Sequence, residues 1–220
     1  MSVAVNFDQA RYNMVEQQVR PWALFDQEIR EQLSTVRRED FVPAAYRALA
    51  YADTAIPLGH GAEMLHPVIE AHALKALELK KHAQVLEVGT GSGYMAALLA
   101  THSAQVWTVE IEPALAETAR ANLRRAGVDN VTVSVGDGLQ GLPAHAPYDA
   151  IMVSGAVTEI PHVLLDQLKV GGRLFALVGS PVQTMVVVSK VGEGEFSRRV
   201  ILEAGAAYLR SAAPRSAFTF

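Results

Sequence analysis

From residue 83 onward, short apolar runs alternate with segments of helical periodicity, and this alternation constrains the fold more than any other feature. The runs that read as buried β-strands are residues 84–88, 105–109, 131–135, 149–153 and 174–178. The helical segments are residues 94–101, 113–126 and 161–168. Alternating strands and helices predict a parallel sheet with helices on both faces and right-handed crossovers. Runs near 184–190 and 196–202 predict a final antiparallel pair of strands.

Residues 1–82 do not continue this alternation, and we predict that they form a helical N-terminal extension. Asp26 can cap a helix, and Pro67 opens a segment with helical spacing of its apolar residues. A Gly-His-Gly turn at 59–61 follows an extended stretch. The predicted fold is therefore α/β, with a Rossmann-like, doubly wound, mostly parallel sheet in residues 83–220.

Composition excludes several classes of protein. Half of the 220 residues are hydrophobic, which is enough for a buried core and excludes intrinsic disorder as the main state. The chain has no cysteine and its histidines show no metal-ligand spacing, so we expect no disulfide and no metal site. A net charge of −4 argues against nucleic acid as a partner. The absence of a signal sequence and of a long apolar stretch predicts a cytoplasmic protein rather than a membrane protein.

A glycine loop, Glu-Val-Gly-Thr-Gly-Ser-Gly at 87–93, ends the first strand and opens a helix. Glycines let a ligand approach the backbone closely, and ligands of doubly wound sheets bind at the carboxyl ends of the strands. Glu110 ends the second strand about 20 residues after Gly89, where an acid can bind ribose hydroxyls. Asp137 follows the third strand and could accept from an adenine amino group. This pattern predicts a nucleoside site.

The loop departs from the dinucleotide fingerprint, because Tyr94 takes its sixth position and the third glycine comes one residue early. Glu87 would repel a pyrophosphate, but it suits the cationic amino-acid end of S-adenosylmethionine. We therefore predict S-adenosylmethionine as the cofactor, with a nicotinamide oxidoreductase as the rival class. The predicted cofactor-binding residues are Glu87, Gly89, Thr90, Gly91, Gly93, Glu110, Ile111, Asp137, Gly138 and Ser154.

Several stretches of the chain resemble the protein-L-isoaspartate O-methyltransferase family over roughly residues 10–190. Many methyltransferases share the glycine loop, whereas the N-terminal stretches are more specific to this family. The matching stretches are residues 14–20, 41–43, 50–53, 56–61, 85–94, 136–138 and 159–174. The resemblance implies a Rossmann-like enzyme that methylates the α-carboxylate of isoaspartyl residues in peptides and proteins, which starts their repair through a succinimide.

Departures from the family pattern fall where the acceptor is expected. After the Gly-His-Gly turn the family usually reads Gln-Thr-Ile-Ser-(Gln or Ala)-Pro, and the resemblance implies that its Ser hydroxyl lies beside the reacting carboxylate. This chain has Glu63 in place of Thr and Leu65 in place of Ser. His60 or His66 could donate to the acceptor carboxylate instead, and a protonated His66 would offset Glu63. These four residues are the predicted acceptor-side site, covered by the extension.

A milder departure follows the fourth strand, where the family's Val-Thr-Ala-Ala is Val153-Ser154-Gly155-Ala156. An ionised carboxylate needs no strong base, so losing one positioning hydrogen bond would slow methyl transfer about 10- to 150-fold without abolishing it. Two alternatives stay open. The chain could methylate a different acceptor, with Glu63 as a base or as a ligand for a cation, or it could bind S-adenosylmethionine without catalysis. Residues 211–220 lack periodicity and are expected to be loosely ordered.

Overall fold

Helices and one hairpin make up the N-terminal part of the computed structural model, which describes residues 5–22 and 26–214. The elements are α1 (Phe7–Asn13), a π-helix (Met14–Val19), α2 (Gln27–Thr35), 3-10 turns at Arg38–Asp40 and Ala44–Leu49, β1 (Ile56–Gly59), β2 (Ala62–Met64) and α3 (Pro67–Leu77). The Asp26 carboxylate caps α2 by accepting from Glu28 N at 2.9 Å. Pro67 occupies the first turn of α3, where its missing N–H is not needed.

The second part of the chain builds a seven-stranded sheet. Its strands are β3 (Gln84–Val88), β4 (Gln105–Glu110), β5 (Val131–Val135), β6 (Tyr148–Val157), β7 (Leu168–Val178), β8 (Thr184–Gly192) and β9 (Glu195–Glu203). They lie in the order β5-β4-β3-β6-β7-β8-β9. The first five in that order are parallel, whereas β8 is antiparallel to both β7 and β9. The predicted mostly parallel sheet and its final antiparallel pair are confirmed.

Both faces of the sheet are covered. Helices α4 (Tyr94–Ala100), α5 (Pro113–Arg125) and α6 (His162–Asp166) connect the parallel strands. Val85 of β3 belongs to a core that also contains Met14, Leu33 and Leu74, whereas its neighbour Leu86 belongs to the core on the other face. The N-terminal part therefore shares one hydrophobic core with the sheet. None of the described helices has the length and apolar character needed to cross a membrane.

Two strands are longer than the sequence predicts. β6 continues four residues beyond the predicted end at Val153, and β7 begins at Leu168 rather than at Leu174. Gly171 and Gly172, a pair that by its sequence suggests a turn before Leu174, lie inside β7, and a Cβ at Gly172 would lie 3.0 Å from Tyr148 O. Glycine is needed there because the neighbouring backbone approaches closely, and that approach is invisible in a local pattern.

Candidate active site

A cavity of about 290 Å³ lies at the carboxyl ends of β3, β4 and β6. Its walls are the glycine loop after β3, the hairpin β1–β2, and residues 207–213, which we call the C-terminal segment. Ligands of doubly wound sheets bind at this edge. The predicted cofactor residues that line the cavity are Glu87, Gly89, Thr90, Gly91, Glu110, Ile111, Asp137, Gly138 and Ser154. Their binding roles stay predictions.

The glycine loop needs its glycines for two different reasons. Gly89 and Gly91 have φ values of +90° and +54°, which residues with a Cβ rarely adopt, and both face the cavity. Gly93 does not line the cavity, because it faces α5, where a Cβ would lie 3.3 Å from Leu123 and 3.4 Å from Ala119. The structure thus places Gly93 at a helix contact and not among the predicted cofactor ligands.

Glu110 is held firmly at the end of β4. Its Oε2 accepts from Gly91 N at 2.8 Å and its Oε1 accepts from Glu112 N at 3.0 Å. The carboxylate therefore ties the glycine loop to the second strand before any ligand binds. Preorganised acceptors of this kind suit the hydroxyls of a ribose.

Glu87 is fully buried on β3, and it lines the cavity floor. Its carboxyl group accepts from Thr108 Oγ1 at 2.6 Å and from Ser154 Oγ at 2.8 Å. Burial raises the pKa of Glu87 to about 8. A cation placed beside this carboxyl would stabilise its ionised form. Thr108 is a further residue of this site, and the only sign of it in the sequence is a threonine inside a buried apolar strand.

Asp137 and Gly138 form the wall below β5. Asp137 Oδ1 accepts from Leu139 N at 3.1 Å and caps a 3-10 turn, so part of its role is structural. A Cβ at Gly138 would lie 2.7 Å from Val88 Cγ1. Glycine therefore lets this turn pack against β3 and brings Asp137 to the cavity.

The structure brings together three of the four predicted acceptor-side residues. His60, Glu63 and Leu65 line the cavity, but His66 does not. The His66 ring lies outside it, with Nδ1 3.4 Å from Asp53 Oδ1. His66 is therefore poorly placed to donate to an acceptor or to offset Glu63. His66 is the residue that precedes α3, which begins at Pro67, and its ring lies beside Asp53 instead of the cavity.

Glu63 has a contact that its position in the hairpin did not suggest. Its Oε1 accepts from Ala207 N at 2.8 Å, which joins the hairpin to the C-terminal segment. Leu65 is buried, and its carbonyl oxygen accepts from Arg38 Nη2 at 2.6 Å. Because Oε1 of Glu63 already accepts a hydrogen bond from Ala207 N, the prediction that Glu63 acts as a free base is weakened.

The C-terminal segment is the part of the site that sequence reasoning missed. Ala156 N donates to Ala207 O and Leu209 N donates to Ala156 O, both at 2.9 Å, so the segment pairs with the end of β6. Arg210, Ser211 and Ala213 line the cavity, although residues from 211 onward were expected to be loosely ordered. No periodicity marks this segment, because the contacts that hold it against the cavity are with distant parts of the chain. Residues 215–220 of that expectation lie outside the described residues.

A buried ion pair lies at the inner end of the cavity. The Arg38 guanidinium is fully buried, contacts the Glu70 carboxylate, and lies 4.7 Å from the centre of the Tyr94 ring. Burial raises the pKa of Glu70 to about 7, although Arg38 acts in the opposite direction. Among residues 5–22 and 26–214, no group of three or more acidic or histidine side chains could hold a metal ion.

The charges of the lining fit S-adenosylmethionine. Among the described residues, one arginine and six carboxyl groups line the cavity; the acids are Glu63, Glu70, Glu87, Glu110, Glu112 and Asp137. A ligand that carries positive charge would stabilise the ionised forms of these acids, Glu87 included, whereas a pyrophosphate would be repelled by the acids that are ionised. A glycine loop after the first parallel strand, a fixed carboxylate at the end of the second and an acid after the third define the cofactor site of an S-adenosylmethionine-dependent methyltransferase.

Comparison with known proteins gives the family. The family model described as "Protein-L-isoaspartate(D-aspartate) O-methyltransferase (PCMT)" matches residues 9–208. The protein-L-isoaspartate O-methyltransferase of Methanoculleus marisnigri is 48% identical over 169 residues, which are 77% of this chain and 77% of that protein. This chain belongs to the protein-L-isoaspartate O-methyltransferase family. The predicted family and the predicted cofactor are confirmed.

Solved structures agree with this fold. A protein-L-isoaspartate O-methyltransferase superposes with a TM-score of 0.78 at 27% identity, covering 90% of this chain and 65% of that chain. A second, from Plasmodium falciparum, was solved in complex with S-adenosyl-L-homocysteine and is described as a putative member of the family. It superposes with a TM-score of 0.80 at 21% identity, covering 94% of this chain and 99% of that one. The second likeness concerns the fold alone.

Proposed function

We propose that this protein transfers the methyl group of S-adenosylmethionine to the α-carboxylate of isoaspartyl residues in peptides and proteins. The observation that carries the proposal is a single cavity with two kinds of wall. One wall is the glycine loop, and the other is the hairpin, whose first strand and turn, from Ile56 to Gly61, carry a stretch that is more specific to the family. A cytoplasmic location, where S-adenosylmethionine is available, is part of this proposal.

Methyl transfer to a carboxylate requires the protein mainly to position the two reactants. Bound S-adenosylmethionine supplies an electrophilic methyl group on a sulfonium centre. An ionised carboxylate is already a nucleophile, so the residues around it need only bind it and hold it in line. We assign the cofactor to Glu87 and Glu110, which line the cavity beside the glycine loop, and the acceptor to the space lined by the hairpin and the C-terminal segment.

Leu65 does not argue against this function. A side chain without a hydroxyl removes one hydrogen bond to the acceptor, which costs about 1–3 kcal/mol. Such a loss slows the reaction without removing the nucleophile or the methyl donor. The Glu63 carboxylate accepts a hydrogen bond from Ala207 N, which supports a structural role for this side chain.

A different acceptor is the second candidate, and the acidic lining favours it. Six carboxyl groups against one arginine would suit a neutral or cationic acceptor better than a second carboxylate. The two candidates differ in what they methylate and agree on the cofactor.

Methyl transfer from labelled S-adenosylmethionine separates them. The substrates are an isoaspartyl peptide and its aspartyl twin of the same sequence, and the control enzyme is Glu110→Ala. We expect base-labile label on the isoaspartyl peptide alone, and none with the control. A protein that binds S-adenosylhomocysteine but labels neither peptide would contradict the proposal and favour a different acceptor.

A further inference from the structure

The cavity contains few cationic groups that could hold an anionic acceptor. If the acceptor is a carboxylate, it must find a cation or a strong donor near the methyl donor, because the ionised members of the six carboxyl groups in the lining repel it. The hydroxyl implied by the family pattern is absent at Leu65, and His66 lies outside the cavity. Within the described part of the chain, Arg210 is the one Lys or Arg side chain in the lining.

Arg210 is held in place with part of its guanidinium unused. Its Nη2 donates to Glu112 Oε2 at 3.1 Å and to the His60 carbonyl oxygen at 3.2 Å. Both contacts use the same nitrogen, so Nε and Nη1 have no acceptor among the described residues. The side chain is about half exposed at the mouth of the cavity. A planar fork with free donors is the geometry that binds a carboxylate with two parallel hydrogen bonds.

The C-terminal segment, which carries Arg210, contacts two residues at which this chain departs from the family pattern, Glu63 and Gly155. Glu63 accepts from Ala207 N at 2.8 Å. Gly155 leaves space for Leu209, because a Cβ there would lie 2.7 Å from Leu209 Cδ2. The departures at 63 and 155 therefore act together to hold the C-terminal segment against the cavity and to direct Arg210 towards it.

We propose that Arg210 binds the α-carboxylate of the isoaspartyl acceptor and takes the part of the hydroxyl that Leu65 lacks. This inference rests on the proposed function, since it concerns how that acceptor is held. Arg210 stays paired with Glu112 through Nη2 and offers its remaining donors to the substrate. His60 is the weaker candidate, because its Nδ1 lies 3.5 Å from the same Glu112 carboxylate and its charge depends on pH.

The test compares two peptides on two enzymes loaded with S-adenosylhomocysteine. One peptide carries the isoaspartyl residue, and the other carries isoasparagine, in which an amide replaces the free α-carboxylate. Peptide affinity is measured by fluorescence anisotropy for the wild type and for Arg210→Gln, with Arg210→Lys as a second variant that keeps the charge but not the fork. Arg124→Gln, an exposed arginine on α5, is the matched control for the lost charge.

We expect the wild type and Arg124→Gln to prefer the isoaspartyl peptide about 10- to 100-fold. In Arg210→Gln this preference should disappear, while the affinity for S-adenosylhomocysteine is unchanged. If Arg210 has only a structural role, Arg210→Gln should lower the affinity for both peptides equally and leave the preference for the isoaspartyl peptide unchanged. That result would overturn the inference. The proposed function has a separate readout. If the wild type methylates no isoaspartyl peptide, that function fails first and this inference fails with it.

Discussion

The two sides of the cavity are built in different ways. The cofactor side uses the ends of neighbouring parallel strands, β3 to β6, and its residues follow one another along the chain. The acceptor side joins the hairpin, near residue 60, to the C-terminal segment beyond residue 206. The first matches the pattern of its family closely, and the second departs from it at Glu63, Leu65 and Gly155. The site for the methyl donor and the site for the acceptor can therefore depart from the family pattern independently.

The largest effect expected from a single side chain is on the cofactor side. Glu110→Ala removes two backbone contacts and the predicted acceptor for the ribose, so affinity for S-adenosylhomocysteine should fall about 100-fold. Isothermal calorimetry measures this directly. Glu117→Ala, on the exposed face of α5, is the control. An unchanged dissociation constant in Glu110→Ala would remove this residue from the cofactor site.

Leu65→Ser should affect the acceptor side of the cavity only. We expect kcat/KM for an isoaspartyl peptide to rise about tenfold, because a hydroxyl returns to the place where the family has one. The affinity for S-adenosylhomocysteine should not change. Leu65→Ala controls for the lost volume, and thermal unfolding checks that each variant is folded. Equal rates for Ser and Ala at this position would show that the hydroxyl has no part in holding the acceptor.

Glu63→Ala tests whether the two acceptor-side elements are joined. Losing the hydrogen bond to Ala207 N should cost about 1 kcal/mol and make that amide exchange with solvent about fivefold faster. Glu63→Gln keeps an acceptor oxygen and should behave like the wild type. Hydrogen exchange read at Ala207 decides the point. If the alanine variant keeps full protection, the segment is held by other contacts.

The pH dependence of cofactor affinity probes Glu87. Because burial raises its pKa to about 8, the folded protein keeps a proton that the unfolded chain loses above about 4.5. The contribution of this protonated carboxyl group to the free energy of unfolding is therefore complete below pH 4.5, and it is lost as the pH rises towards 8. Binding of a cationic ligand favours the ionised form, so affinity for S-adenosylmethionine should rise over the same range.

Glu87→Gln separates this effect from that of Glu70, whose pKa is also raised. The variant should flatten the rise in affinity between pH 6 and pH 8, as measured by calorimetry at several pH values. An equally steep rise in Glu87→Gln would assign the titration to another group.

The sequence predicts correctly those features that depend on residues close together in the chain. The bounds of β3 and β5, the Asp26 cap and the place of Glu110 at the end of β4 all follow from neighbouring residues, and the structure agrees. His72 shows the limit, because a histidine on a helix is usually a surface residue, whereas His72 is buried. Helix α3 lies between the sheet and the N-terminal helices, so nearly all of its faces are covered.

The C-terminal segment shows the same limit more strongly. Its residues have no periodicity, and the hydrogen bonds that join Ala207, Leu209 and Arg210 to the hairpin and to β6 span between 50 and 150 residues of the chain. In the sequence, Gly155 is a mild departure from the family pattern. Its effect on packing depends on Leu209, which lies beside it only in the folded chain. Contacts between distant segments, rather than local propensity, decide this side of the cavity.

The central claim is that an altered acceptor side still holds an isoaspartyl carboxylate. The most direct measurement uses one peptide that contains an isoaspartyl residue, an aspartyl residue and a lysine, incubated with the enzyme and S-adenosylmethionine. Tandem mass spectrometry then locates the methyl group. The account predicts a methyl ester on the α-carboxylate of the isoaspartyl residue and nowhere else. A methyl group on the aspartyl side chain, on the lysine or on the peptide terminus would contradict it.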